Sequence, residues 1–364
     1  RPQHSAGAAY MEGAMLIISD LHVGASRKAG TTPASQAALT EHIHQHFEAL
    51  INATDEDHIV INGDLFDGFE VPGTDLIRTF NVLDRWFMKA RQAQQLTLIA
   101  GNHDYNPRGD KVSSFHLLAH FLKVRQGMSV DIIDHTRGFS RVADRVWAIP
   151  HVANQDLFDI ELHRALDAAG EGDFLLLHAN YDNNFAVESD HSLNVSKEAA
   201  ELLISAGWTL IFGHEHQVRV AESIVIPGAQ IPTSVADCLG CKGKYYLTLS
   251  GKETQLREWL NLEQDKVFTR LDWRNLDTAL DYQFIRVEGT ATADEAAEVV
   301  DAVARFRAKS QAYVIANAVK VEGVAAFDEL AEMSLEQITA FNVLDALLAE
   351  LSEEEGKVVR ALLS

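Results

Sequence analysis

The chain of 364 residues holds two cysteines and seven prolines. It has no apolar run of the roughly 18 residues that a membrane span requires, so no membrane association is expected. Two cysteines, Cys238 and Cys241, cannot build a disulfide framework, and a reducing cytoplasm is the expected setting. Their C-x-x-C spacing has no second Cys/His pair nearby to complete four zinc ligands. A redox pair is a further possibility, and two reduced thiols in a turn are the expected reading. Positive charge is also scarce, with 31 Lys and Arg against 53 Asp and Glu and a formal net charge of −22. That balance excludes broad nucleic-acid binding over a basic surface. It does not exclude a nucleic-acid substrate. Divalent metals at a carboxylate-rich site reverse the local potential, and a partner subunit could bring the basic track.

What is present is the composition of a globular protein, 47% hydrophobic and 23% charged residues. Short apolar runs at Met15–Ser19, His58–Ile61, Thr97–Ala100, Phe174–Leu177 and Thr209–Phe212 are expected as buried strands. Segments with helical periodicity separate most of them, among them Gln36–Asn52, Asp75–Gln94 and Ser113–Gln126. This alternation predicts a layered α/β-sandwich core. Ser223–Ile226 and Lys244–Ser250 are expected as antiparallel strands closing a sheet edge.

The division along the chain follows from such shifts. Residues 1–14 are small, polar and irregular and are expected as a disordered lead-in or an expression remnant. Residues 15–255 form the expected core. Residues 256–325 hold a linker and a small α/β cap, with strand Gln283–Glu288, helix Asp294–Lys309 and strand Ala312–Val321. Thr292 and Glu295 have capping-box spacing at the start of that helix, and residues 251–282 as a whole read as a polar connector. Residues 326–364 read as a helical hairpin, with Leu335, Ile338, Phe341, Leu344, Leu347, Leu348 and Leu351 on one face. Residues 321–364 hold ten acidic and two basic residues, so the exposed face of that hairpin is acidic.

The chemistry is concentrated where strands end. The five expected strands run into Asp20-Leu21-His22, Gly63-Asp64-Leu65-Phe66-Asp67, Gly101-Asn102-His103-Asp104, His178-Ala179-Asn180 and Gly213-His214-Glu215-His216. In parallel sheets ligands bind at the carboxyl ends of strands, so five such ends converge on one crevice. Carboxylate, amide oxygen and imidazole suit hard or borderline divalent ions and need no thiolate. Glycines before Asp64, Asn102 and His214 allow sharp turns and close backbone approach.

These blocks, D-x-H, G-D-x-x-D, G-N-H-D, H and G-H-x-H in order, resemble the calcineurin-like metallophosphoesterase family over about residues 15–250. The resemblance implies a metal-dependent hydrolase with two divalent ions, manganese by expectation, with iron, zinc or magnesium as alternatives. It implies that Asp20, His22 and His216 hold one ion, that Asn102, His178 and His214 hold the other, and that Asp64 bridges them. His103 is the implied catalytic proton donor. Asp104 or Asp67 is expected to orient His103 or a ligand imidazole.

A core followed by a small α/β unit and a helical hairpin resembles the SbcD-type DNA repair nuclease subunit, phage relatives included. That resemblance implies a DNA substrate and an SbcC-like coiled-coil ATPase partner docked on the hairpin. A homodimer is also possible. The alternative is a small-molecule phosphodiesterase or pyrophosphatase acting on nucleotides. A non-catalytic scaffold is the remaining class, and such scaffolds usually lose ligands, whereas none is missing here. His42, His44, His46, His116, His120, His135, His163 and His191 are expected as structural residues, with His151 the one nearer the site. Tyr181, Asn183 and Asn184 are candidates for substrate contact. Arg27, Lys28 and Arg108 lie on crevice-side loops, and Glu215 is expected to point away.

Overall fold

The computed structural model describes residues 14–30, 32–89, 94–105, 111–170, 172–183, 192–279 and 281–322. The helical hairpin expected at 326–364 and the lead-in at 1–14 lie essentially outside them. The chain divides into two compact units, Arg1–Thr269 and Arg270–Ser364. No helix among the described residues is long and apolar enough to cross a membrane.

The first unit contains two six-stranded sheets. In one, β1 (Met15–Ile18), β2 (His58–Asn62), β3 (Gln95–Ile99) and β4 (Val130–Ile133) run parallel. In the other, β6 (Val146–Ile149), β7 (Phe174–His178), β10 (Thr209–Gly213) and β12 (Ile224–Ile226) run parallel. The hairpin partner β5 (Ser140–Ala143) and the short β11 (Arg219–Ala221) close that sheet antiparallel at its two edges. Short strands β8 (Asn180–Tyr181) and β9 (Asn194–Val195) pair beyond the end of β7.

Parallel neighbours need crossovers, and helices supply them. α1 (Pro33–Ala53), α2 (Gly73–Lys89) and α3 (Ser114–Gln126) follow β1, β2 and β3, while α4 (Gln155–Asp167) and α5 (Lys197–Ser205) follow β6 and β9. The sequence starts four of these helices with caps: on α1 Thr32 accepts from Ser35 N–H with Pro33 at the first position, and Ser113, Asn154 and Ser196 cap α3, α4 and α5 in the same way.

Strand periodicity then sorts the core. Met15, Ile17, Val60 and Ile99 share one apolar cluster with Ala148, Phe174, Leu176 and Ile211, so the two sheets face each other through it. Leu16, Ile18, Ile59, Ile61, Leu96 and Leu98 alternate with these and are also buried, as a sheet with helices on its outer side requires. On the second sheet the outer layer is α4 and α5, whose Phe158, Leu162, Ala200 and Leu203 pack with Leu175, Leu177, Leu210 and Phe212. Each buried Leu, Ile, Val, Met or Phe among them contributes about 1.5–3 kcal/mol against the entropy of ordering it.

Two expectations change. Ile224–Ile226 pairs parallel with β10 rather than antiparallel, because the chain first runs out as β11 and turns back between β11 and β10. Part of the expected connector is strand β14 (Glu253–Asn261), paired antiparallel with β13 (Gly243–Ser250), which itself lies antiparallel to β1. β14 is a sheet edge with most of its residues exposed, so it carries no alternating apolar signal.

In the second unit, β15 (Phe284–Glu288) and β16 (Tyr313–Asn317) are parallel and joined through helix α6 (Ala296–Lys309). Ile285, Val287, Val299, Val303 and Phe306 form its core with Trp273 and Leu276. The Glu295 carboxylate accepts from Thr292 N–H at 2.9 Å, the reciprocal half of the expected capping box.

Candidate metal centre

The loops after β1 and β2 are zipped together. Asp20 N–H donates to Gly63 O at 3.1 Å, His22 N–H to Asp64 O at 3.1 Å and Val23 N–H to Leu65 O at 2.9 Å. This brings Asp20, His22 and Asp64 onto one ledge. All three have left-handed backbone, with φ of 52°, 46° and 49°, and His214 joins them at 81°. Non-glycine residues rarely take that conformation, and its concentration here marks local strain stored at the site.

Close packing explains two of the glycines. A Cβ on Gly63 would fall 1.9 Å from His178 Nδ1, and one on Gly101 would fall 2.2 Å from Asp64 Oδ1. Only a bare backbone lets the ledge and the β7 imidazole meet.

All seven expected ligands converge. Ligand atoms of Asp20, His22 and His216 form one group within 4.8 Å of one another, and those of Asp64, His178 and His214 form a second. Asn102 Oδ1 lies 3.1 Å from His178 Nε2 and 3.0 Å from His214 Nδ1, which places it with the second group. Asp64 Oδ2 stands 3.3 Å from His178 Nε2 and 4.0 Å from His22 Nε2, between the groups. Asp20 is fixed from behind by His214 N–H, which donates to both carboxylate oxygens at 2.9 and 3.0 Å.

The electrostatics call for cations. Asp20 and Asp64 are buried, and among the described residues neither forms an ion pair with Lys or Arg. His178 Nδ1 donates to Asn62 O at 3.0 Å, which turns Nε2 toward the oxygens of Asn102 and Asp64. Burial alone would lower the His178 imidazole; the Asp64 charge beside it outweighs this and raises it to about 9. Burial also lifts Asp64, but His178 overcomes this and holds the carboxyl well below its usual range. His22 moves the other way, lowered by its complete burial. A position that attracts a proton this strongly when metal-free suits a divalent ion equally well. The donor set, with no thiolate, fits hard or borderline divalent metals.

His103 sits at the open side, its side chain 36% exposed and Nε2 3.9 Å from Asp64 Oδ2. Its N–H donates to Asp64 Oδ1 at 3.0 Å, and its Nδ1 donates to the Asp67 carbonyl at 2.6 Å. Asp104 does not orient this ring. Its carboxyl accepts from Gly101 N–H at 2.9 Å, the nearest donor in its own turn. Burial first and the Asp64 charge second raise the Asp104 carboxyl well above its ordinary range. The Asp67 carboxylate lies 3.2 Å from His22 Nδ1 and pairs with Lys28 at 3.0 Å.

Glu215 points away, accepting from Tyr181 N–H at 2.7 Å and from Arg219. Asn183 N–H donates to Asn194. His151 is buried behind the site, with N–H donating to Ala100 O, and burial lowers its imidazole to about 3. Arg108, Asn184 and His191 lie outside the described residues.

Two residues escaped the sequence reading. Asp237 is buried and accepts from His216 Nδ1 at 2.7 Å. Burial raises the Asp237 carboxyl, but the His216 hydrogen bond overrides this and keeps it well below its usual range. Gln230 is fully buried and accepts from Ser19 N–H at 2.5 Å, just before Asp20. Neither has a spacing relative to the strand-end blocks that would single it out. Cys238 and Cys241 are free thiols; burial raises Cys238 to about 12, and Cys241 Sγ donates to the Asp237 carbonyl at 3.2 Å.

Fold and site together define a phosphoester-hydrolase centre of the dinuclear-metal class. A family description, calcineurin-like phosphoesterase, matches residues 14–218, and the chain belongs to this family of metal-dependent hydrolases acting on phosphoester bonds. No curated protein matches the chain.

Proposed function

We propose that this protein is a two-metal phosphodiesterase acting on DNA, a nuclease subunit similar to the SbcD type. The observation that carries the hydrolytic part is the pair of ligand groups, Asp20–His22–His216 and Asp64–His178–His214, with the Asp64 carboxylate between them. In this reading Asp20, His22 and His216 hold one ion, Asn102, His178 and His214 the other, and Asp64 both. Manganese is the proposed metal. Two such ions, when bound, polarise a phosphoryl group and make water more acidic.

The chain's own residues do the rest. With Nδ1 donating to the Asp67 carbonyl, His103 keeps Nε2 for a proton on the open side of the site. There it delivers that proton to the departing alkoxide. Lys28, 34% exposed and anchored on Asp67, stands at the rim, where a phosphate oxygen can reach it.

The DNA reading is supported by the chain order, a phosphoesterase core followed by a small α/β unit with its own apolar core. A homodimer is proposed from exposed apolar residues on adjacent helices, Ile77 and Met88 on α2 with Phe121 and Val124 on α3. The apolar stripe Leu335–Leu351 is the proposed dock for a coiled-coil ATPase of the SbcC kind.

The net charge of −22 favours a second reading, a small-molecule phosphodiesterase or pyrophosphatase. A substrate panel with manganese separates the two: bis-p-nitrophenyl phosphate, cyclic nucleotides, and single- and double-stranded DNA. Cleavage of DNA is the expected result. Cleavage of cyclic mononucleotides with intact DNA would reject the nuclease in favour of the second reading.

A further inference from the structure

A metal-binding imidazole must present a lone pair at one ring nitrogen, and the partner of the other nitrogen decides which one that is. In the first ligand group the relevant nitrogens are Nε2 of His22 and His216, which face each other at 3.0 Å. Among the described residues His216 Nδ1 has one partner, Asp237 Oδ1 at 2.7 Å. A carboxylate oxygen only accepts, so the hydrogen belongs on Nδ1 and the lone pair on Nε2.

Asp237 is itself held so that it cannot turn. Its other oxygen, Oδ2, accepts from Thr233 N–H at 2.9 Å, Thr233 Oγ at 3.1 Å and Ser234 N–H at 2.9 Å. The short turn Ala236–Cys238 that carries it is tied to the chain next to His216, because Gln217 Nε2 donates to Ala236 O at 2.8 Å. Asp237 is 2% exposed. The three hydrogen bonds to Oδ2 all arrive from donors, so the ionised carboxylate is the form that satisfies them, and it leaves Oδ1 to accept from His216.

We infer that Asp237 is a positioning residue for the cation held by Asp20, His22 and His216, fixing the His216 tautomer and ring direction. The inference rests on the two-cation reading and names a residue that none of the strand-end blocks contains. The contrast with the second group sharpens it. There His178 Nδ1 is oriented by a neutral backbone oxygen, Asn62 O, so a side-chain change at residue 237 acts on one cation only.

Asp237→Asn is the decisive change. With its one oxygen toward Thr233 and Ser234, the amide N–H₂ points at His216 Nδ1, and the ring must take its hydrogen on Nε2, toward the cation. With the oxygen toward His216, the N–H₂ meets the Thr233 and Ser234 donors. Thr233→Val is the milder companion, removing one of the three donors to Oδ2 while leaving the oxygen pair on Asp237.

The experiment is a manganese titration of the metal-free full chain, followed by calorimetry, with nitrogen-15 NMR of the histidine rings in chelator. The unaltered chain should bind two ions and show His216 with hydrogen on Nδ1. Asp237→Asn should weaken one ion about 10–100-fold, leave the other, and shift the His216 tautomer. Thr233→Val should weaken the same ion by a smaller factor. Equal affinities for both ions in Asp237→Asn, or an unchanged tautomer, would overturn the inference. If Asp237→Asn does not fold, Thr233→Val decides: an unchanged first ion overturns it. If the unaltered chain binds no manganese, the two-cation reading itself falls, which is a different outcome from two ions insensitive to residue 237.

Discussion

His22 Nε2 and His216 Nε2 lie 3.0 Å apart, brought together from the end of β1 and the loop after β10. Two imidazole nitrogens at that distance share one hydrogen at most, and the fully buried His22 ring resists carrying charge. A divalent ion satisfies both lone pairs at once. The folded chain should therefore be stabilised by manganese. At a hundredfold excess over Kd, one site adds about 2.7 kcal/mol, a rise of roughly 5–10 °C in Tm for a unit of this size. Thermal melting with manganese against chelator measures this; identical curves would contradict it.

In the proposed reading Asp64 serves metal binding and His103 serves the chemistry. Asp64→Ala should abolish turnover and release metal, because Asp64 stands between both ligand groups. His103→Ala should keep the metal content and lose about 10²–10⁴-fold in kcat. Elemental analysis beside kinetics tests both, and an active His103 variant would remove its assigned role.

Gly101 offers a test of how tightly the site is built. Gly101→Ala places a methyl 2.2 Å from Asp64 Oδ1 and 2.5 Å from Asp64 N, backbone that cannot swing aside. A cost of about 1–3 kcal/mol and a loss of metal affinity should follow. Denaturant unfolding with and without manganese reads both effects, and a variant as stable and as tight-binding as the parent would show that the ledge is softer than the structure implies.

Acid stability has a defined sign. Burial lowers the His42 imidazole to about 3, His46 adding to this, while the unfolded value is about 6.5. The unfolded chain thus binds the proton first, so this residue favours the fold fully above pH 6.5. That advantage shrinks as pH falls toward 3. At pH 5, still above the folded value of about 3, linkage makes the loss about 2 kcal/mol. In metal-free protein His42→Gln should flatten the slope of stability between pH 6.5 and 4; an unchanged slope would show that His42 does not titrate in this way.

The ligand blocks were legible because each sits where an apolar run stops, and parallel topology sends all such ends to one side. The glycines were legible for the same reason. Asp237 and Gln230 were not, because their roles arise from long-range returns of the chain: 21 residues separate Asp237 from His216, and 211 separate Gln230 from Ser19. β14 was missed because an exposed polar edge strand has nothing to alternate. Asp104 is adjacent to His103 in sequence, but its carboxyl is taken by Gly101 N–H, a pairing that adjacency does not reveal.

Asp20, Asp64 and Asn102 grow from the ends of one sheet, and His178, His214 and His216 from the other. An ion gripped by Asp20 and His216, or by Asn102 and His178, is therefore a rivet through both leaves of the sandwich. Between the sheets the apolar cluster and the Asn62 bonds to Leu177 and His178 hold without any ion, so removing metal should loosen first the strand ends that carry Asp20, Asn102 and His216, and amide protons there should exchange sooner.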